Sequence, residues 1–129
     1  MLKTGILNPA IGSLIGRVRH TNTLVIADRG FPFWPQIETV DISLVDDVPR
    51  VLDVVRAIRA NFKAVRFFMA EEFLATNTKD VQLEFEQALS GVPLVFEPHV
   101  DFKKRVPQAV GLIRTGDTIP YSNLIMESG

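Results

Sequence analysis

Six short apolar runs, alternating for most of the chain with segments of helical periodicity, constrain this sequence more than any other feature. They fall at Leu24–Ala27, Ile37–Ile42, Ala64–Ala70, Val92–Phe96, Val110–Arg114 and Ser122–Met126. Runs this short suit strands and are too short for buried helices. Asn8 and Pro9 supply an N-cap and a proline at the first helical position, and Ile11, Leu14, Ile15 and Val18 follow at helical spacing. That pattern predicts a helix to about Arg19. Pro49 opens a second helix carrying Val51, Leu52, Val54, Val55 and Ile58 and ending near Phe62. Glu71-Glu72 caps or begins a helix after the third strand. Thr78–Leu89 is amphipathic and closed by Gly91, and a short helix follows from His99 to Val106.

This alternation predicts an α/β fold, a three-layer α/β/α sandwich forming one domain over residues 1–129. The last two strands are joined only by Thr115–Pro120, too short for a helical crossover. The mostly parallel sheet is therefore expected to be mixed.

Composition narrows the chemistry. The chain has no cysteine and only two histidines, so disulfides, thiolate metal sites and thiol nucleophiles are excluded, as is a three-histidine metal site. The remaining carboxylates show no metal spacing, and no P-loop, GxGxxG or GxSxG occurs, so no metal or cofactor is expected. The formal net charge is −1 and the Lys and Arg residues are scattered, which leaves no footprint for nucleic acid. No apolar run is long enough for a bilayer and no signal peptide is evident, so a cytoplasmic protein is expected.

Ligands of open α/β sheets bind on loops beyond the carboxyl ends of strands. Three segments qualify or flank such places: His20-Thr-Asn22, Asp28 to Pro35, and Arg114 to Asn123. Each residue admits two readings. His20 either caps a helix C-terminus or titrates in a site. Asp28 either forms an Asx turn or accepts hydrogen bonds from a ligand. Phe31, Phe33 and Trp34 pack as core, or one ring stacks on a sugar face. His99 is a helix-start residue without independent signal. Tyr121 and Asn123 are ordinary strand residues or partners for sugar hydroxyls.

Taken together, these segments resemble the D-ribose pyranase / L-fucose mutarotase family (RbsD/FucU-like). The resemblance runs from the opening Met-Leu-Lys-Thr-Gly-Ile-Leu-Asn8 through His20-Thr-x-Thr-Leu-Val-Ile-Ala-Asp28 and Gly30-Phe-Pro32. It continues through Ala70-Glu-Glu72 and His99-Val-Asp-Phe-Lys103. The block Ile113-Arg-Thr-Gly-Asp-Thr-x-Pro-Tyr-Ser-Asn123 is closer to the ribose branch than to the fucose branch.

The resemblance implies a cofactor-free isomerase acting on a monosaccharide, D-ribose before L-fucose or another sugar. In it His20 is the catalytic acid/base, and Asp28, His99, Tyr121 and Asn123 contact the substrate. It also implies a homo-oligomeric ring, commonly a decamer, with sites at subunit interfaces. A non-catalytic, sugar-binding transport accessory is the alternative of a different class. Two departures bear on activity. Asn22 stands where the family usually has aspartate, which is expected to weaken His20 as a base. Arg29 and the loop Phe31–Pro35 replace a smaller loop, which suggests an acidic or phosphorylated sugar or a narrower pocket.

Overall fold

The computed structural model describes residues 1–129. Helix α1, Pro9–Gly16, starts as the sequence predicts: Asn8 Oδ1 accepts the N–H groups of Ala10 at 3.0 Å and Ile11 at 3.1 Å. It ends three residues before Arg19. Arg17 N–H bonds back to Leu14 O, and Val18 N–H to Ile15 O. These tight i→i+3 closures keep Val18 buried outside the helix, so its apolar spacing outlasts the helix itself. After α1 come β1 (Thr23–Ala27), β2 (Glu38–Asp41), α2 (Val51–Arg59), β3 (Ala64–Ala70), α3 (Glu72–Thr76) and α4 (Lys79–Ala88). β4 (Leu94–Glu97), α5 (His99–Arg105), a 3₁₀ turn at Val106–Gln108, β5 (Gly111–Arg114) and β6 (Leu124–Ser128) complete the chain.

Two strand boundaries shift for identifiable reasons. Pro93 has no N–H to give a ladder, so β4 starts at Leu94 rather than Val92. Ser122 N–H turns back to Ile119 O, and the Asn123 side chain is engaged elsewhere, so β6 begins two residues later than the apolar run.

The sheet order is β2-β5-β1-β6-β3-β4. The β2–β5, β5–β1 and β3–β4 pairs are parallel. β6 runs antiparallel to both β1 and β3, separating two parallel blocks. The sheet is mixed, as the short final connection predicts.

Side chains alternate between faces. Leu24, Ile26, Ile113, Leu124, Phe67 and Met69 face α1, α2 and α4 in a core of 18 buried residues. Val25, Ala27, Leu112, Ile125 and Phe68 face the other way, against Phe31, Phe102 and Val106, in a core of nine. The second layer is therefore thin, built from α5 and the loop after β1. The cavity described next opens at the edge of this layer.

The β5–β6 connection ties the layers together. Buried Asp117 accepts the N–H of Val51, the first residue of α2, at 2.9 Å, and that of Ile119 at 2.8 Å. A carboxylate at a helix N-terminus meets both free N–H groups and the positive end of the helix dipole.

Candidate active site

Three segments converge where β1 ends and β6 begins. Asp28 follows β1, His99 opens α5, and Tyr121 and Asn123 lie on the approach to β6. With Gly30, Phe31, Pro32, Lys103 and Pro120 these four line a cavity of about 300 Å³. That lies at the small end of the ~300–1,000 Å³ usual for ligand sites. Neither Arg29 nor Trp34 lines it. The Arg29 guanidinium pairs with Asp46 at 2.6 Å, and Trp34 sits half-buried with its ring 6.4 Å from that of Phe31.

Asp28 forms the expected Asx turn, with Oδ1 accepting Gly30 N–H at 3.0 Å. Its other oxygen accepts from Asn123 Nδ2 at 3.2 Å, and its backbone N–H donates to Asn123 Oδ1 at 2.7 Å. Desolvation raises its pKa above the ordinary 3.8, against these hydrogen bonds, with a smaller push from the negative charge of Asp117.

His99 is held by its backbone: its N–H reaches both carboxylate oxygens of Glu72, at 3.0 and 3.1 Å. Its ring stacks 6.0 Å from Phe102 and meets Tyr121 edge-on at 5.2 Å. Desolvation, aided by the positive charge of Lys103, lowers its pKa from 6.5, with Glu72 and Asp28 opposing. Nδ1 is buried without a partner, which leaves Nε2 as the ring nitrogen open to a ligand. Tyr121 adopts φ 55°, a left-handed conformation that non-glycine residues seldom take and that recurs at functional sites.

His20 is not part of this cavity. It lies exposed on the turn between α1 and β1. Thr21, at φ 68°, bonds through its N–H to Ser128 O at 2.9 Å. Ser128 N–H returns to Asn22 O, and Asn22 Oδ1 accepts Arg19 N–H at 2.9 Å. Asn22 thus uses its side chain to shape the turn that presents His20. β1 lies between His20 and Asp28, and its five residues alone span about 17 Å at a rise of ~3.3 Å per residue. Of the five residues singled out by sequence, one chain brings together Asp28, His99, Tyr121 and Asn123 and leaves His20 at the opposite end of β1.

Lys103 and Glu72 were not singled out as site residues. Lys103 had a legible signal: it lies four residues after His99 on a predicted helix, and therefore on the same face. Glu72 had only the suggestion of a helix start.

The cavity gathers a carboxyl, an imidazole, an ammonium, a phenol and a carboxamide, groups suited to a polyol. Two of them, Asp28 and His99, have pKa values displaced toward each other. No group of three or more His, Asp or Glu side chains is arranged to hold a metal ion, and no helix is long and apolar enough to cross a membrane.

Comparison with known proteins matches residues 1–129 to the family described as the RbsD / FucU transport protein family. A D-ribose pyranase of Geobacillus kaustophilus is 38% identical over 129 residues, covering 100% of this chain and 94% of that protein. One from Laribacter hongkongensis is 34% identical, covering 100% and 98%. Among solved structures, Bacillus subtilis RbsD complexed with D-ribose superposes with TM-score 0.92 at 29% identity, covering 100% of this chain and 98% of that one. The fucose mutarotase of Streptococcus pneumoniae, in complex with L-fucose, has TM-score 0.83 at 17% identity, covering 99% and 98%, and shares the fold.

Proposed function

The chain belongs to the RbsD / FucU transport protein family, and from that premise we propose that it is a sugar mutarotase whose substrate is D-ribose. The observation that carries this reading is the polar cavity lined by Asp28, His99, Tyr121 and Asn123, in a chain whose full length matches D-ribose pyranases. A pentose offers hydroxyls to each of these groups. Asp28 accepts from sugar hydroxyls, Asn123 both donates and accepts, and the Tyr121 hydroxyl and His99 Nε2 engage the rest.

Mutarotation needs two proton movements. A proton leaves the anomeric hydroxyl and another is delivered to the ring oxygen as the C1–O bond breaks. The open aldehyde then closes through a different hydroxyl, or on its other face, with the movements reversed. Positioned acid–base groups accelerate such steps by about 10²–10⁴-fold. The proposed acid/base is His20, whose imidazole can both accept and deliver a proton. Because it stands at the far end of β1, it reaches a cavity only from a neighbouring copy of the chain. The reading therefore includes a homo-oligomeric ring, of decamer type, with sites at subunit interfaces. The chemistry calls on no cofactor, and the proposed compartment is the cytoplasm.

A second reading, a sugar-binding protein without catalysis, is favoured by one observation: the cavity of a single chain lacks His20. An L-fucose mutarotase would use the same geometry.

The test is exchange NMR on D-ribose with the parent protein and its His20→Ala variant. Faster pyranose–furanose exchange with the parent alone supports the proposal. Exchange retained in His20→Ala removes His20 from the mechanism. Ribose binding without acceleration by the parent favours the binder.

A further inference from the structure

We propose that Glu72 is the positioning residue that seats His99 in the cavity, by holding the first backbone N–H of α5; this rests on the sugar-binding reading of the cavity. Helix α5 has seven residues, too few to be stable by itself, so its placement is imposed by the rest of the fold. It carries both His99 and Lys103, and any shift of the helix moves two lining groups at once.

The helix is fastened at two ends. At its C-terminal end, Arg105 forms a fork with Glu97 at 2.6 and 3.1 Å, and its guanidinium lies 3.9 Å from the centre of the Phe68 ring. At its start the tie is Glu72. Both carboxylate oxygens converge on His99 N–H, and Glu72 takes part in no ion pair at 4.0 Å or less. Glu72 opens α3, directly after β3, whose parallel neighbour β4 leads into α5. The carboxylate therefore bridges the connections leaving two adjacent strands, and its distance to the helix sets how far His99 projects.

The same carboxylate acts on the ring through its charge. The charged and titratable groups facing His99 are Lys103 from its own helix, Glu72 from α3, Asp28 from the loop after β1 and Tyr121 before β6. Of these, Glu72 and Asp28 favour the imidazolium and Lys103 opposes it. Glu72→Gln keeps an oxygen to accept His99 N–H and removes the charge. Glu72→Ala removes both.

The chain has two histidines, so ¹H NMR resolves two imidazole titrations, and the His20→Ala background identifies that of His99. The expected result is a lower His99 midpoint in Glu72→Gln than in the parent. Glu72→Ala is expected to raise KM for D-ribose about tenfold with a smaller change in kcat, as for loss of a charge-assisted hydrogen bond. An unmoved His99 midpoint in Glu72→Gln, or an unchanged KM in both variants, overturns the proposal, even if thermal stability falls. If the parent leaves ribose exchange untouched, the pyranase reading fails by itself, and the titration alone decides the role of Glu72.

Discussion

Asn123 meets Asp28 twice, its carboxamide oxygen accepting the Asp28 backbone N–H at 2.7 Å and its nitrogen donating to the Asp28 carboxylate at 3.2 Å. The two residues are 95 positions apart, yet they end and begin strands that lie side by side in the centre of the sheet. The exchange fixes which end of the amide points where, so that the cavity wall presents a defined pattern of donors and acceptors.

Asn123→Ala leaves the Asp28 N–H without a partner in a largely enclosed position. The cost is expected at about 1–3 kcal/mol, read from the shift in denaturant midpoint at constant slope. It also removes a donor that favours the ionised carboxyl, so the Asp28 pKa rises further. D-ribose should no longer raise the melting temperature. Protection by ribose equal to that of the parent would detach Asn123 from the binding site.

Asp28 and His99 give stability opposite slopes with pH. The folded pKa of Asp28 lies above its ordinary 3.8, so the unfolded chain ionises first. Its contribution falls as pH climbs from about 3.8 through the raised value, and the cost is fully present above it. His99 has a folded pKa below 6.5, so its contribution is complete above 6.5 and is lost as pH drops to the lowered value. Urea midpoints across pH 3.5–7 should show the Asp28 slope in the parent and not in Asp28→Asn. Parallel curves for the two proteins would mean that Asp28 is not strained by its surroundings.

On the proposed reading, His20→Ala and Asp28→Asn each lose ribose exchange for different reasons, and in different copies of a shared site. Mixing the two under conditions of subunit exchange pairs an intact His20 with an intact cavity. About a quarter of the sites recover under random pairing. Exchange rates measured before and after mixing give the answer. No recovery in a mixture shown by mass to have exchanged would mean that each chain supplies its own acid/base.

Gly116 packs against the backbone of the hairpin at Val45–Val48. A Cβ at that position would stand 2.9 Å from Val48 O and nearer still to Val45 O. Backbone cannot move aside as a side-chain tip does, so Gly116→Ala is expected to destabilise by about 1–3 kcal/mol. The hairpin bonds Asp47 N–H to Gly116 O at 2.6 Å and Thr118 N–H to Asp47 Oδ1 at 3.0 Å, so loosening should appear there first. Hydrogen exchange at Asp47 and Thr118 tests this, and unchanged protection with unchanged stability would refute it.

Most strands were legible as short apolar runs, and the mixed sheet was legible from the brevity of the Thr115–Pro120 connection. Helix ends were less so. Apolar spacing reports burial rather than hydrogen bonding, and Val18 stays buried after α1 has stopped. Of the site, Asp28, Tyr121 and Asn123 could be placed near strand ends, but nothing local ties Asn123 to Asp28. The side chain that seats His99 belongs to α3, 27 residues away, and long-range pairing of that kind leaves no periodic trace. The separation of His20 from Asp28 was legible in principle, since a strand of five residues between them sends them to opposite ends of that strand. Arg29 was suggestive as a site cation by position alone. Its partner Asp46 lies in the neighbouring hairpin, which spacing does not reveal.

The antiparallel seam of the sheet has a consequence for biosynthesis. β6 follows the other five strands in the chain, and it fills the gap between β1 and β3. Until it emerges, the β2-β5-β1 and β3-β4 blocks each expose an unpaired inner edge, and Asp28 lacks the amide that orients it. The nascent chain is thus expected to hold two incomplete half-sheets that zip together only once β6 has emerged. Assembly of the cavity and completion of the sheet are then one event.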